Sequence, residues 1–164
     1  MALLFKELVK SVSLERLDID ENEFGMEGVR SMYPLLHNSP NISSLYLSGN
    51  SNFNSECFEV LVSALNETSV KVLYLQHNNI EDISALDRYS LPNLQKLCLN
   101  KNNIGREGCI TISKLLQKEG SNLIHLKLVD TGIDDEGAAI LSTSLKYNTK
   151  LRYLYLSENN LRWT

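Results

Sequence analysis

One segment recurs along this chain, and its period restricts the architecture more than any other feature. The template L-x-x-L-x-L-x-x-N-x-L is met by LERLDIDENEF from Leu14, ISSLYLSGNSNF from Ile42, VKVLYLQHNNI from Val70, LQKLCLNKNNI from Leu94, LIHLKLVDTGI from Leu123 and LRYLYLSENNL from Leu151. Successive starts lie 28, 28, 24, 29 and 28 residues apart. One match arises easily by chance, but matches that keep phase through the chain mark a stacked repeat array. The L-x-L centre alternates with period two, so each segment predicts a short strand with its leucines on one side. One such strand cannot bury its own leucines, whereas strands stacked side by side as a parallel sheet share a continuous core.

The return arms carry helical spacing. Val29, Met32, Tyr33 and Leu36 are expected on one inward face, as are Cys57, Phe58, Leu61 and Leu65 in the next repeat. Ile112, Leu115 and Leu116 serve the fourth arm, and Ala138, Leu141 and Leu145 the fifth. These helices start in similar ways, at Gly25–Gly28, Gly105–Gly108 and Asp134–Gly137, each with Glu in third place. A carboxylate there suits the positive end of the helix dipole, and the small residue after it lets the helix approach the sheet closely. Asn54 or Ser55 is expected to cap the second helix. The second repeat has one extra residue between Asn50 and Phe53, which predicts a bulged turn. The third arm is short and closed by Pro92, so only a brief helix or 3₁₀ turn is expected over 83–87.

The recurring Asn22, Asn50, Asn78, Asn102 and Asn159 are expected to be structural. A buried amide can satisfy backbone groups where each strand turns away from the sheet. Thr131 replaces Asn in the fifth repeat and predicts a weaker rung.

Repeats of 28 and 29 residues with a helical outer arm and the G-x-E-G start resemble leucine-rich-repeat proteins of the ribonuclease-inhibitor-like subfamily. Its members include ribonuclease inhibitor, the Ran GTPase-activating protein, tropomodulin and the sensor regions of NOD-like receptors. The resemblance implies an α/β leucine-rich-repeat solenoid, a horseshoe with parallel strands on the concave side and helices on the convex side. It also implies a protein-interaction module or scaffold that binds another protein through the concave face. Activation of a small GTPase is the alternative the Ran activator suggests.

The expected organisation is a single domain over 1–164, of about six repeats starting at 14, 42, 70, 94, 123 and 151, preceded by a partial-repeat helix at 2–10. Leu4, Phe5, Leu8 and Val9 share one face of that helix. No polar cap follows the last strand, and Trp163 is expected to shield the end of the core. The chain therefore reads as a piece of a longer array, with self-association through uncapped ends as the other outcome.

Template positions 3, 5 and 7 point away from the core, and position 8 sits at the rim. Position 5 reads Asp18, Tyr46, Tyr74, Cys98, Lys127 and Tyr155 along the stack. With Tyr153, Asp20 and Glu158 these are the candidate partner-binding residues. Exposed tyrosines suit protein recognition, and cross-strand aromatic pairs also stabilise sheets. Acidic residues at one end and Lys96, Lys101 and Lys127 towards the other predict a bipolar surface.

No enzyme is expected. His77, Cys98 and His125 are the only candidates for nucleophilic chemistry on this face, and His77 and His125 lie two strands apart, about 9.6 Å. No cofactor or metal is implied, because there is no phosphate-binding glycine loop and no metal-ligand spacing. The net charge of −4 argues against a nucleic-acid partner. No apolar run approaches the roughly 20 residues that cross a bilayer. Three scattered cysteines suit a reduced, cytoplasmic protein. Two sequons, at Asn41 and Asn66, point instead to secretion, although such triplets arise often by chance.

Overall fold

The computed structural model describes residues 2–11 and 13–162. Helix α1 (Ala2–Leu8) precedes strand β1 (Arg16–Asp18), and strands then alternate with helices: α2 (Met26–Asn38), β2 (Ser44–Tyr46), α3 (Ser55–Leu65), β3 (Val72–Tyr74), α4 (Ala85–Arg88), β4 (Lys96–Cys98), α5 (Gly105–Gln117), β5 (His125–Lys127), α6 (Asp135–Leu145) and β6 (Tyr153–Tyr155). The strands form one parallel, unclosed sheet in the order β1-β2-β3-β4-β5-β6. This is an α/β solenoid of leucine-rich-repeat type.

The register follows the template without a slip. Leu17, Leu45, Leu73, Leu97, Leu126 and Leu154 stand opposite one another across the six strands. All but Leu154 are buried, as are Ile19, Leu47, Leu75, Leu99 and Leu128 two residues on. A one-residue slip would carry every leucine to solvent, so burial of this row pins the pairing. Near the first strands the core is aromatic: Phe24 meets Phe5 edge-on at 6.1 Å and stacks on Phe53 at 6.4 Å.

Helix α2 buries Val29, Met32, Leu35 and Leu36, and not Tyr33, which was expected inside. Tyr33 lies on the solvent flank and stacks on His37 at 4.8 Å. Leu35 fills the stripe instead, and the phenol keeps its hydroxyl hydrated. At α3 the Asn54 side chain accepts from the Cys57 N–H, so Asn54 is the cap. The small residue at the helix start has a local reason. A Cβ on Gly28 would lie 2.5 Å from the Phe24 ring, and one on Gly108 1.9 Å from Ile104 Cγ2. The glycine therefore makes room for the last buried side chain of its own turn.

The short third arm contains only α4, whose backbone carbonyls are met from the next repeat. Lys118 Nζ donates to Tyr89 O at 3.0 Å and Asp87 O at 3.3 Å, and Lys114 pairs with Asp87 at 2.7 Å. A cation at a helix C-terminus is favourable, so α5 supplies what the missing turn cannot. Trp163 lies outside the described residues.

Candidate functional site

Beneath the sheet surface, the asparagines carry the backbone through each turn. Asn50 Oδ1 accepts from the N–H groups of Asn22 and Phe24, at 3.1 and 2.9 Å. Its amide nitrogen donates to Leu47 O at 2.9 Å, and to Ile19 O of the preceding repeat at 3.2 Å. Asn78 and Asn102 repeat this, reaching back to Leu47 O and Leu75 O at 3.0 and 2.8 Å. Thr131 breaks the series. Its hydroxyl donates to Leu128 O of its own repeat at 2.9 Å, with Asn159 Oδ1 3.2 Å away as the alternative acceptor, and among the described residues no Thr131 side-chain bond reaches the fourth repeat. Asn159 resumes the pattern, reaching back to Leu128 O at 2.6 Å.

The residue before each asparagine-column position forms the rim, and there the backbone is left-handed. Glu21, His77, Lys101, Asp130 and Glu158 have φ between 53° and 58°, and Gly49 has 68°. The turn aims each of the first five backbone N–H groups at the next repeat: Glu21 to Ser48 O at 2.7 Å, Gly49 to Gln76 O at 2.9 Å, and so on to Asp130 and Ser157 O at 3.0 Å. Only glycine adopts this conformation freely, so these side chains are held at a conformational cost.

On the concave surface the structure brings most of the candidate residues into two groups. In the first, Tyr46 and Tyr74 stack at 4.8 Å between ring centroids, nearly parallel at 10°. The Arg16 guanidinium covers the outer face of this pair, 3.9 Å from the Tyr46 centroid, and also binds Asp18 at 2.5 Å. Lys96 lies over Tyr74 at 5.0 Å. In the second group His125 stacks on Tyr153 at 4.2 Å, and Lys127 lies over Tyr155 at 5.0 Å. Tyr153 and Tyr155 are the more exposed rings, at 48% and 40%. Offset stacks and ring-bound cations of this kind contribute about 0.5–1.5 kcal/mol each.

Two candidates, Cys98 and Asp20, sit differently from their expected roles, and Glu158 lies at the rim as expected. Cys98 occupies position 5 but is fully buried, with Sγ 3.6 Å from Gln76 Oε1. Its short side chain lies between Tyr74 and Lys127 on the neighbouring strands, and the longer neighbours leave it no exposed atom to offer a partner. Asp20 is half-buried and accepts from the Ser48 N–H at 2.6 Å, so its carboxylate serves the turn. Glu158 is an exposed rim residue, beyond both aromatic groups. The placement of cations on the tyrosine faces is the feature that reading the sequence missed. The available signal was a basic residue on the strand beside each tyrosine.

The charges follow these contacts. The hydrogen bond from Arg16 holds the Asp18 carboxyl below its ordinary range, whereas burial, with Asp18 adding to it, pushes Asp20 up. The Tyr74 hydroxyl raises the Lys96 ammonium. His125 is lowered, first by burial and then by Lys96 and Lys127. Burial raises the Cys98 thiol, and takes Cys109 up to about 11, so neither is a ready nucleophile. Cys57, Cys98 and Cys109 are all free and buried. No group of His, Cys, Asp and Glu among the described residues could hold a metal ion. No helix among them is long and apolar enough to cross a membrane.

Comparison with known proteins agrees with this geometry. A family model described as leucine-rich repeats in two copies matches residues 68–107, and a second leucine-rich-repeat model matches 121–142 and 147–162. The chain is 29% identical over 147 residues to NACHT, LRR and PYD domains-containing protein 13 of Homo sapiens, covering 87% of this chain and 14% of that protein. It is 24% identical over 162 residues to the Rho GTPase-activating protein gacW of Dictyostelium discoideum, covering 92% and 14%. The chain spans 13 to 19% of the length of the curated relatives it matches. Among solved structures, the tropomodulin C-terminal domain of Caenorhabditis elegans superposes with a TM-score of 0.67 at 14% identity, over 88% of this chain and 92% of that one. A likeness at that identity bears on the fold alone.

Proposed function

The chain is a leucine-rich-repeat protein of the ribonuclease-inhibitor-like kind, and from that premise we propose that it is a protein-binding module whose concave sheet engages a partner. The observation that carries this reading is the contrast between the two sides of each strand. The inward positions repeat leucine and asparagine, while the outward ones vary along the stack and gather stacked tyrosines with cations on their faces. Aromatic side chains locked by stacking offer large amphipathic area at little further loss of entropy on binding. The same reading treats residues 1–164 as one unit and makes the face a contributor to binding, not a catalytic surface.

Six strands at about 4.8 Å span roughly 24 Å, which is less than a standard partner footprint of about 800 Å² requires. The module is therefore a weak binder alone or one part of a longer surface. Three free, buried cysteines favour a reducing compartment.

The test compares capture by immobilised wild-type protein, a Tyr46→Ala/Tyr74→Ala/Tyr155→Ala variant and a convex control, Tyr33→Ala/Tyr147→Ala. Proteins held by the wild type and the control but lost by the concave variant support the reading, provided circular dichroism is unchanged. Equal capture by all three moves the site off this face. The match to a Rho GTPase-activating protein favours a second reading, acceleration of a small GTPase. Unchanged GTP turnover across a panel of Ran and Rho-type GTPases would remove it.

A further inference from the structure

We propose that the middle of the concave face, around Lys96 and Lys127, receives an acidic extended segment of a protein partner. The proposal rests on the reading of this sheet as the binding face and adds the chemistry of what it binds.

Charge on this face is unbalanced. The chain is acidic as a whole, at −4, yet its concave centre is locally basic. Some of the exposed cations are answered by the chain's own carboxylates: Lys10 by Glu7, Arg16 by Asp18, Arg88 by Glu59, Arg106 by Asp134 and Glu136, Lys114 by Asp87. Among the described residues no carboxylate lies within 4.0 Å of Lys96 or Lys127. Both rest on tyrosine rings instead. At the acidic end of the same face Asp18 is paired with Arg16, and Asp20 is turned to the Ser48 amide. What the face lacks is therefore negative charge, at its centre.

The rings also settle how the charges are presented. A lysine laid across an aromatic face has already lost much of its rotamer freedom, so less is lost when a carboxylate arrives. Lys96 leans from β4 towards Tyr74 on β3, and Lys127 from β5 towards Tyr155 on β6. The two ammonium groups thus point apart, over a span of up to three strand spacings, about 14 Å. An extended segment running across the strands, at about 3.3 Å per residue, covers that distance in about four residues. Acidic side chains four apart fit the pair, with buried Cys98 and the stacked His125 as the floor between them. A nucleic-acid strand is the less favoured occupant: its affinity comes from neutralising many phosphates, and this acidic chain offers a few cations in one patch.

The experiment is an NMR titration of the ¹⁵N-labelled chain with an octapeptide, Ser-Glu-Gly-Ser-Gly-Glu-Gly-Ser, its twin with both Glu replaced by Gln, and an eight-nucleotide oligothymidylate. We expect saturable shifts at the amides of Lys96, His125 and Lys127 with the Glu peptide, weakening as salt is raised. The Gln twin should bind about tenfold less tightly, and K96Q/K127Q should erase that difference. Equal binding of the two peptides, no binding of either, or tighter binding of the oligothymidylate at these residues overturns the proposal. The concave capture experiment separates the failures. If capture still depends on Tyr46, Tyr74 and Tyr155 while the acidic preference is absent, only the chemistry proposed here is lost. If both are absent, the binding-face reading falls with it.

Discussion

The asparagines beneath the sheet and the position-5 side chains above it share one period, but only the asparagines also share their chemistry. Asn50, Asn78, Asn102 and Asn159 each donate to their own turn and to the one before it. The outer series runs Asp18, Tyr46, Tyr74, Cys98, Lys127, Tyr155 with no type kept throughout. Backbone accounting explains the difference. Every turn buries the same N–H and C=O groups, and few side chains carry both a donor and an acceptor in so small a volume. The outer positions owe the backbone nothing, so neighbouring side chains there are free to settle their contacts among themselves.

This contrast breaks most sharply at Asn50. Asn50→Ala takes the acceptor from the Phe24 and Asn22 N–H groups and leaves the Leu47 carbonyl with Asn78 as its one side-chain donor, and should cost about 3 kcal/mol or more. Urea denaturation of the variant would read it, and a loss under about 1 kcal/mol would mean that the inner ladder is not what holds the turns. Next comes the helix start. Gly108→Ala places a Cβ against the buried Ile104, and should cost about 2 kcal/mol after the gain in helix propensity. A neutral Gly108→Ala would show that Ile104 yields easily. The third effect has the opposite sign. Thr131→Asn restores an amide that can reach Leu99 O as Asn102 reaches Leu75 O, and should add about 1 kcal/mol. A destabilised Thr131→Asn would show that the interrupted rung has repacked around threonine.

Reading the sequence found the strands, their register and the inner ladder because each is a matter of period. A spacing of two between strand leucines and of 28 between the first repeats leaves little freedom, and the pairing Leu17↔Leu45↔Leu73 follows. The short third arm was legible too, with α4 at Ala85–Arg88 inside the stretch closed by Pro92. Reading failed where the answer depends on neighbours. Tyr33 sits at the border of a helical stripe, and only the packing of Leu35 shows which of the two is inside. Cys98 points outward by template, yet its burial depends on the length of Tyr74 and Lys127 beside it. The lean of Lys96 and Lys127 onto rings is a rotamer choice that no spacing encodes. The left-handed rim was hidden because five of its six residues are not glycine.

Smaller effects are expected from the outer ladder, and they sharpen the contrast. Tyr46→Ala removes a stack and a ring-bound guanidinium at a half-exposed site, and should cost about 1 kcal/mol or less. A loss matching that of Asn50→Ala would make the outer series part of the scaffold and not a surface free to specialise.

The smallest effect is a titration. His125 is lowered in the fold, so its contribution to stability is present above the unfolded imidazole value and is lost as pH falls through the folded one. The inner asparagines have nothing to titrate, so this sensitivity belongs to the outer face. Burial is the larger cause and the two lysines the lesser, which fixes what a double variant must do. In K96Q/K127Q the His125 titration followed by NMR should move up towards the ordinary imidazole range without reaching it. Full recovery would mean that the lysines, and not burial against Tyr153, set the shift. No movement would mean that the lysine charges do not reach the ring, and that the concave centre is less concentrated in positive charge than its geometry indicates.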